Sequence, residues 1–224
     1  VGSIQDIDRI KGIIRDKKSK AYFHCDAVQA FGKIPLKPKK MGIDLMSMSA
    51  HKIHGLKGAG ALYVNSAIRL MPAILGGGQE NGLVSGTEAM PAICAFGEAV
   101  NDVGNVERNL NSVNEVKNYF IDKLSELDKV YVNSPENSLP YIINISVEGV
   151  PSQVMLNSLS SMGIYVSAGS ACAKGHRSDV LTTMGIEPRR IDSAIRISLS
   201  KNTTTKDMDL LYNGIVETIK RVRR

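Results

Sequence analysis

Tryptophan is absent from the chain, and aromatic residues make up only 5% of it. The cysteines number three, Cys25, Cys94 and Cys172, an odd count with no close pair. A disulfide framework and a C-x-x-C redox or zinc pattern are both excluded, and a reducing compartment is implied. No apolar run approaches the length needed to span a bilayer, and the opening V-G-S-I-Q-D-I lacks the basic-then-apolar pattern of a secretory signal. A soluble cytoplasmic protein with no membrane partner is the expectation. An initiator methionine is also missing, so Val1 is expected not to be a natural start.

What is present narrows the architecture. The 224 residues suffice for one large domain or two small ones, and the formal net charge is +6. Apart from Lys37–Lys40 and Lys220–Arg224 the basic residues are dispersed, without aromatic interleaving. Solvated faces therefore explain them better than direct contact with nucleic acid. Ile4, Ile7, Ile10 and Ile13 or Ile14 recur at helical spacing within Ile4–Lys18. Acidic residues stand near the start of that stretch and lysines near its end. Ala21–Cys25, Ile43–Met48 and Gly60–Val64 read as strands. Helix and strand in alternation predict an α/β fold with a mostly parallel sheet.

The pattern changes further on. Glu88 to about Leu127 is helical, with a break around Gly104, and Thr87 is the predicted N-cap. Strands are expected at Val130–Val132, Ile142–Val147, Ile164–Val166 and Ile195–Leu199. Helices are expected at Ser152–Met162, Val180–Met184 and Thr205–Val222. These elements imply a smaller α+β domain at 106–224, following a larger one at 1–105.

Two loops hold the candidate chemistry. S-A-H-K-I-H-G-L-K-G, from Ser49, places Lys52 in a tight connection between two apolar strands. A lysine beside apolar walls loses hydration of its ammonium form, and the free amine can condense with an aldehyde. A surface-loop lysine is the alternative that spacing alone favours. His51 and His54 form an H-x-x-H pair, but with no third ligand zinc is discounted, and no metal is expected. Asp26, ending a strand, is either a helix N-cap or a ligand at the sheet's carboxyl edge. Cys172 stands in the small, polar S-A-G-S-A-C-A-K-G loop, where Lys174, His176 and Arg177 would favour a thiolate if near the sulfur. Arg196 interrupts an apolar strand, which an exposed face would also explain.

Four ordered blocks carry a resemblance: H-C-D-A-V-Q from His24, S-A-H-K-I-H-G-L-K-G from Ser49, G-G-G-Q-E through S-G-T-E from Gly76, and S-A-G-S-A-C from Ser167. Together they resemble the cysteine desulfurases, pyridoxal-phosphate enzymes of the aminotransferase class V superfamily. The resemblance implies the PLP-dependent transferase fold, lacking the family's amino-terminal part. By that likeness 1–105 is the later part of the large cofactor domain and 106–224 the small domain. The resemblance further implies that Asp26 pairs with the pyridine nitrogen of pyridoxal 5'-phosphate and that Gln29 donates to its phenolic oxygen. Ser49 and His51 would hold the phosphate, Lys52 the aldehyde, and Thr87 the phosphate of a partner subunit in a homodimer. Cys172 would take sulfur from L-cysteine, and Arg196 would bind the substrate carboxylate. A sulfur acceptor or iron–sulfur scaffold protein is the implied partner, with Cys172 a transient iron–sulfur ligand. Val84 replaces an arginine usual in the family, removing a charge near the cofactor entrance, and Ser200 replaces a glycine. The alternatives are a selenocysteine lyase, another class V aminotransferase, or an inactive piece that only dimerises or binds a carrier.

Overall fold

The computed structural model describes residues 1–168 and 177–223. Cys172, with Lys174 and His176, lies outside the described residues. The chain divides into two compact units, Asp6–Arg108, and Val1–Gln5 together with Asn109–Arg224.

The first unit opens with helix α1, Ile7–Asp16. It starts later than its isoleucine spacing predicts because the Asp6 side chain accepts from the Arg9 N–H at 2.9 Å and fixes the N-terminus there. Strand β1 (His24–Asp26), helix α2 (Pro38–Met41), strand β2 (Leu45–Ser49), a 3-10 turn (Ala50–Ile53), strand β3 (Gly60–Val64) and helix α3 (Met90–Val103) follow. The sheet order is β1-β2-β3. β1 and β2 run parallel, His24 opposite Leu45 and Asp26 opposite Ser47. β3 is antiparallel to β2, because the link through the 3-10 turn is too short for a crossover. Ala27, Ile43 and Met46 form one buried cluster of this unit, with Ile7, Cys25, Met48 and Tyr63 packed around them. Thr87 does not cap α3. The helix begins beyond it, with Ala89 at the cap and Pro91 in the first turn, where a fixed φ and a missing N–H do no harm.

The second unit contains helix α4 (Val106–Leu124) from Asn109 on, strands β4 (Val130–Val132) and β5 (Ile142–Val147), and helices α5 (Ser152–Ser161), α6 (Asp179–Thr183) and α7 (Pro188–Asp192). Strand β6 (Ala194–Ser198) and helix α8 (Thr205–Val222) complete it. Its antiparallel sheet, in the order β4-β5-β6, is centred on β5. Ile143, Ile145 and Val147 on one face of β5 are fully buried. Asn144 and Ser146 on the other face are buried too, and find partners there. Asn133 Nδ2 donates to Asn144 Oδ1 at 2.8 Å and Ser146 Oγ at 2.7 Å, while its own Oδ1 accepts from Arg190 Nη2 at 2.6 Å.

The strand expected at Ile164–Val166 does not form. The Ile164 N–H is taken by the Leu159 carbonyl at 2.9 Å, closing α5 through a left-handed Gly163. Among the described residues only Ser167 pairs with β6 on the side away from β5, in an isolated antiparallel bridge to Arg196. α8 starts from a capping box between Thr204 and Asp207 and approaches α5 so closely that a Cβ on Gly214 would lie 2.7 Å from Leu159 Cδ2.

Candidate active site

The carboxyl ends of β1 and β2 lie side by side, because the parallel register sets Asp26 opposite Ser47. Two residues beyond Ser47 the chain reaches Ser49, then turns through His51 and Lys52. The 3-10 turn forms where it does because Ala50 and Ile53 are both buried, 0% and 3% exposed, and pin its ends. Lys52 between them is half-buried, with the apolar flank its sequence implied. His54 closes the turn in the left-handed region, at φ +70°. A Cβ on Gly55 would meet the Ala50 carbonyl at 3.0 Å, so the chain leaves the turn in close backbone contact.

Polar side chains on this rim are already ordered. Ser49 Oγ and His51 Nδ1 share a hydrogen bond of 2.7 Å. Asp26 Oδ1 accepts from the Val28 N–H at 2.9 Å, so Asp26 does cap the turn after β1. Its carboxylate still stands exposed at the sheet edge. Gln29 is exposed on that same turn, and its Oε1 accepts from Lys33 Nζ at 3.2 Å. Burial pushes the Lys33 ammonium down from its ordinary pKa, and the charge of Lys52 pushes it in the same direction. Lys33 carries no motif that marks it in the sequence. Its only signal was the four-residue spacing from Gln29.

The two glycine-containing blocks from Gly76 to Thr87 come together in one loop. Gly86 N donates to Gln79 Oε1 at 3.2 Å, and Gly78 N donates to Ser85 Oγ at 3.3 Å. Val84, 43% exposed, bridges to Ile74, and Thr87 is exposed just beyond the loop. Among the described residues, no group of three His, Cys, Asp or Glu side chains could hold a metal ion.

Arg196 belongs to the other unit. It is half-buried in β6, donates from Nη2 to Ser167 Oγ at 3.3 Å, and keeps a buried Nε with no partner among the described residues. Arg177 is committed elsewhere, since its guanidinium holds both oxygens of Asp192 at 2.7 and 2.8 Å. That engagement raises the arginine's affinity for its proton and lowers the carboxyl of Asp192.

The aminotransferase class-V family model matches residues 1–211. The chain belongs to the aminotransferase class-V family. Within the family it is 34% identical over 227 residues to the cysteine desulfurase IscS of Methanosarcina thermophila, matching all of this chain and 56% of that protein. It is 38% identical over 229 residues to the putative cysteine desulfurase IscS 1 of Bacillus subtilis, matching 99% of this chain and 60% of the relative. The solved structure of a NifS-like protein from Rickettsia africae superposes with a TM-score of 0.85 at 33% identity, covering 98% of this chain and 59% of that one. The α/β fold expected from the four blocks is therefore borne out. The chain spans a little over half the length of the curated relatives it matches. A class-V cofactor would find a suitable donor set on the first unit's rim: a carboxylate for a pyridinium N–H, an amine for an aldehyde, and hydroxyl and imidazole groups for a phosphate.

Proposed function

We propose that the chain carries the cofactor lysine, the substrate arginine and the sulfur-accepting cysteine of a pyridoxal-phosphate-dependent cysteine desulfurase. The observation that carries this reading is the parallel register of β1 and β2, which puts Asp26 opposite Ser47, two residues before the Ser49-to-Lys52 turn, at the sheet's carboxyl edge. Such edges are where α/β folds take their ligands. The names of the relatives support the same activity. In this proposal the first unit is the later part of the large cofactor domain and the second is the small domain.

When bound, the cofactor would supply an electron sink for negative charge on the substrate α-carbon. Asp26 would keep a proton on the pyridine nitrogen, and Gln29 would donate to the phenolic oxygen. Ser49 and His51 would hold the phosphate, with Thr87 reaching across to the site of a second subunit in a homodimer. Lys52 would anchor the aldehyde and, once displaced by substrate, carry the α-proton. Arg196 would take the carboxylate of L-cysteine, a role supported by its buried Nε, which has no partner among the described residues. The Cys172 thiolate would attack the substrate sulfur. An S–S bond would form as the C–S bond breaks, with the bonding pair passing to the substrate β-carbon, which would take up a proton, so that a persulfide is left on Cys172 and L-alanine is released. The persulfide sulfur would pass to an acceptor or iron–sulfur scaffold protein in the cytoplasm, with Cys172 serving briefly as an iron–sulfur ligand.

The test is the visible absorption of the purified chain with added pyridoxal phosphate, beside its Lys52→Ala variant. A band present only with Lys52 is the expected result. Its absence from both proteins would refute the proposal for this chain. Alanine as product separates a desulfurase from an aminotransferase, which would yield a keto acid.

A further inference from the structure

Lys33 has no role in the reading above, yet it is the polar group that touches Gln29. The two residues are four apart on the turn after β1, and the lysine ammonium reaches the glutamine amide through Oε1 at 3.2 Å. An ammonium has three donors and no acceptor, so it can be satisfied only by the oxygen end of the amide. The nitrogen end is thereby left facing away from Lys33. An unrestrained exposed glutamine would offer either end to a ligand, because the two differ by a half-turn about one soft torsion.

We propose that Lys33 is a positioning residue for the cofactor site, holding the amide oxygen of Gln29 so that the Gln29 N–H2 group is the end presented to the ligand. The proposal rests on the assignment of Gln29 to the cofactor's phenolic oxygen, where only a donor is useful. Local packing holds the pair in place. Gly32, between them in sequence, is in the left-handed region at φ +75°, and its Cα face lies against Ile53, the residue after Lys52. A Cβ there would come within 2.8 Å of Ile53 Cγ2 and 3.1 Å of Val103 Cγ2. The turn bearing Gln29 and Lys33 is thus seated on the turn bearing Lys52. Lys33 is half-buried, and burial first, then the charge of Lys52, push its pKa down.

The experiment compares pyridoxal phosphate binding, read from the visible band, in the full chain and in the Lys33→Met, Lys33→Arg, Gln29→Leu and Gln29→Leu/Lys33→Met variants. Lys33→Met should weaken binding about two- to tenfold, the net worth of one hydrogen bond. Lys33→Arg should restore it, because a guanidinium is also donor-only. In the Gln29→Leu background Lys33→Met should cause no further loss, which a purely electrostatic or structural lysine would not predict. A Lys33→Met chain that binds like the unmodified one, or that loses as much with Gln29 already removed, overturns the proposal. A chain with no band at all overturns the cofactor reading itself, and Lys33 falls with it. Side-chain amide NMR of Gln29 without cofactor supplies a separate readout. Its N–H2 resonances should move in Lys33→Met and stay near their original positions in Lys33→Arg, and no movement in Lys33→Met would overturn the contact directly.

Discussion

Ser167 and Arg196 exchange both of their backbone hydrogen bonds, Ser167 N to Arg196 O at 3.0 Å and Arg196 N to Ser167 O at 2.6 Å. Ser167, five residues before Cys172 in sequence, is therefore tied to the strand that carries the proposed carboxylate-binding arginine. Arg196 Nη2 also donates to Ser167 Oγ, but the two bridge bonds are main-chain, so changing the Arg196 side chain leaves both of them in place. Arg196→Gln removes the charge and the fork of donors together. The L-cysteine concentration that half-saturates the spectral change of the pyridoxal-phosphate-loaded chain should rise about ten- to a hundredfold, the loss expected for a hydrogen-bonded charge. An unchanged half-saturation would remove Arg196 from the substrate site.

Cys172→Ala separates sulfur transfer from cofactor chemistry. The visible band should persist, because Lys52 and the residues around it are untouched, while transfer of sulfur to a protein acceptor or to added thiol should be abolished. Measured as sulfide released from L-cysteine in the presence of reductant, undiminished output would show that another group takes the sulfur.

Asn133 tests the polar face of β5. It is 5% exposed and serves Asn144, Ser146 and Arg190 at once. Asn133→Leu preserves approximate size but leaves those groups with fewer partners in a dry site. A loss of about 1–3 kcal/mol is expected, seen as a lower denaturation midpoint with unchanged denaturant slope.

The same strand shows why parts of the fold could be read in advance and others could not. Gly60–Val64 and Thr205–Val222 were legible because their periodicity and caps are local, and the structure places them at those residues. Ile142–Val147 was legible as a strand, but its polar face was not, since the partners of Asn144 and Ser146 lie far away in sequence. Ile164–Val166 has strand composition, yet its first N–H is taken by the end of α5. At the candidate site, the placing of Asp26 opposite Ser47, two residues before Ser49, follows from parallel register, a non-local fact that motif order could only imply. Lys33 went unseen for a simpler reason: one lysine four residues from a glutamine is unremarkable until the turn holding both is known.

Acid should loosen the second unit through its carboxylates. Asp209 accepts from Lys123 and from Tyr119 Oη, the latter at 2.7 Å, and the lysine chiefly holds its carboxyl below the ordinary range. Arg177 does the same for Asp192. With both folded pKa values depressed, the unfolded chain binds more protons than the native one as acid is added. Their contribution is complete above the ordinary aspartate pKa of about 3.9 and is lost as pH falls through the lowered values. Melting temperature measured against pH should fall less steeply below pH ~4 in Asp209→Asn than in the unmodified chain. Parallel curves would mean that this pair adds nothing, as is common for exposed ion pairs.

Gly32 links stability to the site more directly. Its φ of +75° is one that side chains adopt at a cost, and the space beside it is filled by Ile53 and Val103. Gly58 has a similarly left-handed backbone, φ +93°, but nothing within 4 Å of an added Cβ. The pair therefore separates backbone strain from displacement. Gly58→Ala should lose only about 1–2 kcal/mol, the strain of a left-handed alanine. Gly32→Ala should add to that strain an overpacking cost of about 1–3 kcal/mol, and it should press on the turn that carries Lys52. Chemical denaturation measures the first difference, and pyridoxal phosphate affinity the second. If the two variants lose equal stability and bind the cofactor alike, then the turn after β1 is not seated firmly on the Lys52 turn. The positioning of Gln29 by Lys33 would lose its structural footing with it.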